Sequence, residues 1–248
     1  MAEIEVFADT TQLIRAEAER IAMLASEAIE ARGRFLMCLS GGHTPKPLYE
    51  LLASPPYAEW LDWTRIHLFW GDERCVPPNH PDSNYRMTRE ALISRVPIRP
   101  ENVHRIRGED EPDEAADEYE RVLHDFFGPE DVPLRSFDLA LLGMGPDGHT
   151  ASIFPGTPAT REERRWAMPV HVERLRNSWR VTLLPIVLNA AADVTFLVAG
   201  RDKAPRIREL LGEDRERRSF LPAGLVKPKS GTLHWMLDAA AVAELRSI

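Results

Sequence analysis

Gly143-Met144-Gly145-Pro146-Asp147-Gly148-His149-Thr150 follows FDLALLG (137–143), the clearest run of buried-strand character in the chain. Histidine titrates near neutrality and takes a proton from water at physiological pH. A carboxylate two residues away can orient its ring, and the glycines leave space for a ligand against the backbone. His149 and Asp147 are therefore candidate acid–base residues. Their spacing does not establish contact, and the competing reading is a loop histidine that caps its own turn. Ser40-Gly41-Gly42-His43-Thr44 lies between an apolar run and a helical one. Its glycines allow close backbone approach, the helix start offers free N–H groups and a positive dipole end, and Ser40 and Thr44 add hydroxyls. That is the chemistry of a phosphate cradle without the Walker spacing. A tight strand-to-helix turn is the plainer alternative.

Gly71-Asp72-Glu73-Arg74 places three charges directly after IHLFW (66–70). Asp72 can act on a substrate or orient a partner, and Arg74 can hold an anion. The plainer alternative is a surface ion pair of small energetic weight. Arg180 in SWRVTLLP and Lys203 in GRDKA add two cations near strand ends. Arginine offers a two-pronged contact and lysine a point charge. Asn79, His80 and Asn84 follow Arg74 in a segment that either lines a cleft or forms an ordinary turn. His67 lies inside an apolar run and reads as structural.

These junctions need a scaffold that brings them together. Strand-like runs at 4–8, 35–40, 66–71, 137–143, 193–200 and 232–238 alternate with helical patterns near 10–32, from 45, and over 83–93, 112–127 and 202–211. Such alternation implies an α/β fold, a modified doubly wound and mostly parallel sheet with helices on both faces. In folds of this kind ligands bind at the carboxyl ends of strands, where the four polar junctions fall. No repeat of fixed period and no domain boundary is visible, so one domain over 1–248 is expected. The charged stretch 212–218 (GEDRERR) reads as a solvated loop.

Composition narrows the partners. The 248 residues carry 31 Lys and Arg against 39 Asp and Glu, a formal net charge of −8, which opposes general nucleic-acid binding. A few cations in one cleft can still hold a small anion. Two cysteines, Cys38 and Cys75, are too few for a secreted disulfide framework and read as buried free thiols. No Cys/His spacing suggests a metal. No apolar run approaches a membrane span, and MAEIEVFADTT lacks a basic start and an apolar signal core, so a cytoplasmic protein is expected.

LSGGHTPKPLYELL, FWGDERCVPPNHPDSNYRM, FDLALLGMGPDGHTASIFPG, WRVTLLPIVLNAA, VAGRDKA and LPAGL, in this order over about residues 36–238, resemble the 6-phosphogluconolactonases, within the superfamily they share with glucosamine-6-phosphate deaminases. The resemblance implies metal-independent hydrolysis of 6-phosphoglucono-1,5-lactone to 6-phosphogluconate, in the oxidative pentose phosphate route, without a cofactor. His149 would be the general base, Asp147 its positioning partner, and Arg74 a donor to the oxyanion or to the phosphate. Gly41, Gly42 and Thr44 would cradle the phosphate, with Arg180 and Lys203 neutralising it. His43 departs from the small polar residue usual at its position. Deaminase-like members carry a glutamate after the DGH motif, whereas Thr150 to Pro155 holds no carboxylate here. Two other readings remain at this stage, an aminosugar-phosphate deaminase and a non-enzymatic sugar-phosphate sensor. A dinucleotide-binding oxidoreductase is disfavoured because the G-x-G-x-x-G setting is missing.

Overall fold

The computed structural model describes residues 2–128, 135–212 and 221–245. Its strands are β1 (Ala2–Phe7), β2 (Phe35–Leu39), β3 (Ile66–Trp70), β4 (Asp72–Arg74), β5 (Val103–His104), β6 (Leu139–Leu142), β7 (Ala167–His171), β8 (Trp179–Leu183), β9 (Asp193–Val198) and β10 (Thr232–Asp238). Its α-helices are α1 (Thr10–Arg32), α2 (Pro45–Leu52), α3 (Tyr57–Trp60), α4 (Asn84–Ala91), α5 (Pro112–Phe127), α6 (Pro185–Leu188) and α7 (Ala204–Leu211). Among the described residues, seven strands form one sheet in the order β1-β10-β9-β6-β2-β3-β5. Every neighbouring pair in it is parallel. This is the α/β architecture expected from the alternation of runs.

Burial explains the order. FLMCL of β2, LALL of β6 and DVTFLV of β9 are buried at every position, as central strands covered on both faces require. β1 at the edge is mostly exposed. Helix α1 begins where Asp9 accepts a hydrogen bond from Gln12 N at 2.8 Å and stops at Gly33. Its apolar stripe, Leu13, Ile14, Ala18, Ile21 and Ala25, is buried in the main core. Four adjacent strands, β9-β6-β2-β3, send their carboxyl ends to one edge of the sheet. The four polar junctions follow those strands and are thereby placed side by side. The order in which strands are added reverses beside β2, with β3 and β5 on one side and β6, β9 and β10 on the other, and such a switch point opens a crevice at the strand ends.

The sequence did not disclose the second sheet, β4-β8-β7, which is antiparallel. Asp72-Glu73-Arg74, expected as a polar junction, is itself a strand. It pairs with β8 in the register Asp72↔Thr182, Glu73↔Val181 and Arg74↔Arg180. The helix expected from Asp202 begins at Ala204, after a 3-10 turn over Arg201–Lys203. Cys38 is buried and Cys75 only half-buried, and both are free thiols. His67 stacks on His104 at 5.4 Å between ring centres, in keeping with a structural role. Residues 213–218 of the charged stretch lie outside the described residues. No described helix is long and apolar enough to cross a membrane.

Candidate active site

A cleft of about 350 Å³ opens where these junctions meet. Ser40, Gly41, Gly42, His43 and Thr44 line one side, Asp72, Arg74, Asn84 and Arg180 another, and Gly145, His149, Phe154 and Lys203 the rest. Of the residues assigned a catalytic or binding role from sequence, Asp147 is the one outside the lining, and it reaches the cleft through His149. Asn79 and His80 do not line it, whereas Asn84 does.

The loop after β6 holds the imidazole. Gly145 N donates to His149 O at 2.9 Å, Gly148 N to Gly145 O at 3.0 Å, and Thr150 Oγ1 to Gly143 O at 2.8 Å. Asp147 Oδ1 accepts from His149 N at 3.2 Å and lies 2.5 Å from His149 Nδ1. Partial burial works to raise the Asp147 carboxyl. The hydrogen bond and charge of His149, together with Arg174, outweigh it and hold the group well below the usual carboxylate range. An ionised carboxylate only accepts, so the Nδ1 facing it carries the proton. In the neutral ring the lone pair is then on Nε2, the nitrogen left for the cleft. Phe154 packs against the ring at 4.1 Å between centres.

Gly145 is required by this arrangement, since a Cβ there would stand 2.1 Å from His149 Nδ1. Gly145→Ala must therefore displace the ring. A 1 Å misplacement of a reacting group costs on the order of 10²-fold in rate, which is the loss expected for this variant with its thermal melt little changed. Steady-state turnover beside a circular-dichroism melt checks it.

The opposite wall is built around Glu73 and Asn84. Buried Glu73 accepts from Arg74 N, Asn84 N and Tyr85 N, each at 2.8 Å, and from Ser83 Oγ at 3.0 Å. Burial raises its carboxyl above the ordinary value, and these backbone hydrogen bonds oppose the rise. Glu73 thus secures the amino end of α4 and aims Asn84 inward. Asn84 Nδ2 donates to Asp72 O at 2.8 Å, and its Oδ1 accepts from Arg74 Nη1. Gly41 sits tightly against Asn84, because a Cβ at 41 would meet Oδ1 at 2.0 Å. Tyr49 of α2 locks the turn from behind, accepting from Ser40 N at 3.1 Å and donating to Ser40 O at 2.7 Å. Thr44 makes no side-chain capping bond to α2. Asp72, singled out as a possible reacting group, accepts from Ser152 Oγ at 2.6 Å and Asn84 Nδ2 at 3.2 Å. Those bonds suit an orienting role.

Two arginines face each other across β4 and β8. Like charges on directly opposite residues repel and cost stability unless an anion joins them. Among the described residues, neither Arg74 Nε nor Arg180 Nε has a hydrogen-bond partner, although both are buried. Burial depresses the Arg180 guanidinium below its ordinary value. Asp72 opposes that shift, and Arg74 adds to it. Arg180 also lies over Phe154 at 5.8 Å from the ring centre. Lys203 enters from the turn after β9, with Nζ paired to Asp202. Among the described residues, no cluster of His, Cys, Asp and Glu is arranged to hold a metal ion.

Four side chains matter here that sequence reasoning missed or undervalued. Ser152 and Phe154 lie inside the quoted motif but carry no spacing signal. Asn84 was one of three loop polar residues. Arg174, on the tip between β7 and β8, had no signal at all.

Fold and cleft define an α/β protein with a cationic pocket beside a carboxylate-backed histidine at its strand ends. The chain belongs to the family of glucosamine-6-phosphate isomerases/6-phosphogluconolactonase, whose model matches residues 8–235. A 6-phosphogluconolactonase of Nostoc sp. is 42% identical over 243 residues, covering 98% of each chain. One from Haemophilus influenzae is 39% identical over 204 residues, covering 82% of this chain and 84% of the relative. Among solved structures, the 6-phosphogluconolactonase of Trypanosoma brucei superposes with a TM-score of 0.87 at 28% identity, covering 99% of both chains. A monomeric glucosamine-6-phosphate deaminase shares the fold at a TM-score of 0.81 and 19% identity, covering 98% of this chain and all of that one.

Proposed function

We propose that this protein hydrolyses 6-phosphoglucono-1,5-lactone to 6-phosphogluconate, the lactone step of the pentose phosphate route, with His149 activating the water. The observation that carries this reading is one imidazole backed by an ionised carboxylate, on the same cleft as two facing arginines with unpartnered Nε groups. His149 Nε2 takes a proton from water as the water oxygen bonds to C1. The carbonyl electrons move to oxygen, and that oxyanion calls for preorganised donors at the reacting end of the cleft. Collapse breaks the bond from C1 to the ring oxygen. The imidazolium returns its proton to the departing oxygen, and the new carboxylic acid ionises, releasing one proton per turnover. Asp147 keeps Nδ1 protonated and the ring aimed.

The phosphate lies against Gly41, Gly42 and Thr44. Arg74 and Arg180 hold it as a pair, because one dianion relieves the repulsion of both, and Lys203 adds a third charge. Arg74 on the phosphate is favoured over Arg74 on the oxyanion by that pairing with Arg180. Neutral hydrolysis needs one base and one anion grip. Aminosugar deamination needs further acid–base groups, and Thr150 to Pro155 carries none.

A pH-stat assay with freshly made lactone, corrected for spontaneous opening and run with and without chelator, tests the assignment. Proton release well above the blank, unaffected by chelator, is expected. Turnover of unphosphorylated gluconolactone should be far slower, and glucosamine 6-phosphate should release no ammonia. Ammonia release, or equal turnover of both lactones, would overturn it.

A further inference from the structure

We infer that Arg174 is a positioning residue for the His149–Asp147 pair, and that the tip joining β7 to β8 braces the reacting end of the cleft. This rests on the function proposed above. Asp147 spends Oδ1 on His149 and has only Oδ2 left to fix the plane of its carboxylate. Arg174 Nη2 binds that oxygen at 2.5 Å. The same guanidinium lies 5.7 Å from the centre of the Phe154 ring, which in turn packs on His149. Arg174 therefore bears on the imidazole along two routes, through the carboxylate and through the phenyl ring.

The tip is itself held. Val172 N donates to Ser178 O at 2.8 Å and Leu175 N to Val172 O at 2.9 Å, which closes the turn. Asn177 Nδ2 reaches Asp82 Oδ2 at 2.5 Å, and Asp82 O accepts from Arg74 Nη1 at 2.9 Å. One short segment thus connects the carboxylate behind the base with the loop that anchors the anion-facing arginine. Arg206 lies on the same side but does not duplicate Arg174, for it meets this loop at a backbone oxygen, Nε donating to Pro146 O at 3.4 Å, and its Nη1 is paired with Glu209. As an ion pair on the surface, Arg174–Asp147 contributes little to stability. Its consequence lies in geometry, where small errors in aim cost large factors in rate.

The test is a double-mutant cycle on lactone turnover, joined to proton NMR of the native protein and each variant. Arg174→Met should lower kcat roughly 10-fold to 10²-fold, with KM held within about twofold, as expected for lost aim. Arg174→Lys should recover part of the loss, and guanidinium added to Arg174→Ala should recover more, since the position is open to solvent. In an Asp147→Asn background Arg174→Met should lower kcat by clearly less than it does in the native protein, because the carboxylate route is gone and only the phenyl route remains. The low-field imidazole Nδ1–H resonance, assigned by its absence in His149→Ala, should shift or broaden in Arg174→Met. Full kcat in Arg174→Met, an equal loss in the Asp147→Asn background, or an unmoved resonance would each overturn the inference. A native protein without lactonase activity would overturn the proposed function instead, and the resonance would still decide the role of Arg174.

Discussion

His149→Ala is expected to lower lactone turnover by about 10²–10⁴-fold, the range a general base contributes, while the protein keeps its fold. The ring is partly exposed at the cleft, and the sheet core beneath it is formed by other residues, so thermal stability should shift only slightly. KM should move less than kcat, because the phosphate is held by other side chains, Arg74, Arg180 and Lys203. Asp147→Asn should give a smaller loss, since an amide can still meet the ring but no longer fixes which nitrogen carries the proton. Rates measured above the spontaneous background at matched pH check both variants. A His149→Ala protein with native turnover would assign the base elsewhere.

Arg180→Ala carries the second large effect, and it falls on binding. Hydrogen bonds to charged groups contribute about 1.5–3 kcal/mol each, so KM for the phosphorylated lactone should rise roughly 10-fold to 150-fold. Turnover of unphosphorylated gluconolactone should barely change, because that substrate never used the contact. The paired comparison separates a lost phosphate grip from general damage. Arg180 is buried and shares the wall with Asp72, so the melting temperature must be followed as well. Arg180→Lys keeps the charge without the two-pronged contact and should fall between the native protein and Arg180→Ala. Equal KM changes for the two lactones would contradict a phosphate role.

The parallel sheet was legible because its central strands are continuous apolar runs between glycine and polar junctions. β2, β6 and β9 show that pattern, and the junctions after them carry most of the cleft. The antiparallel sheet was not legible. Asp72-Glu73-Arg74 is three charges long, and its strand character comes from pairing with β8 more than a hundred residues away. β7 contains Pro169, which masks it further. The Arg74–Arg180 opposition follows from that long-range register and could not be read locally. The contact between Asp147 and His149 was an open question, because a two-residue spacing permits several loop geometries. Gly145 decides it physically, since only a residue without a side chain leaves room for the ring. Arg174 was invisible for the opposite reason: its surroundings show no motif, and its importance comes entirely from what folds against it.

The central claim is that one bound molecule touches both walls at once, phosphate on the arginines and reacting carbon at the imidazole. A crystal structure with 6-phosphogluconate bound tests it most directly. The account predicts the phosphate against Gly42, Arg74 and Arg180, with the product carboxylate within hydrogen-bond reach of His149 Nε2. A phosphate resting on His149, or a ligand seated in another cavity with this cleft unoccupied, would contradict it.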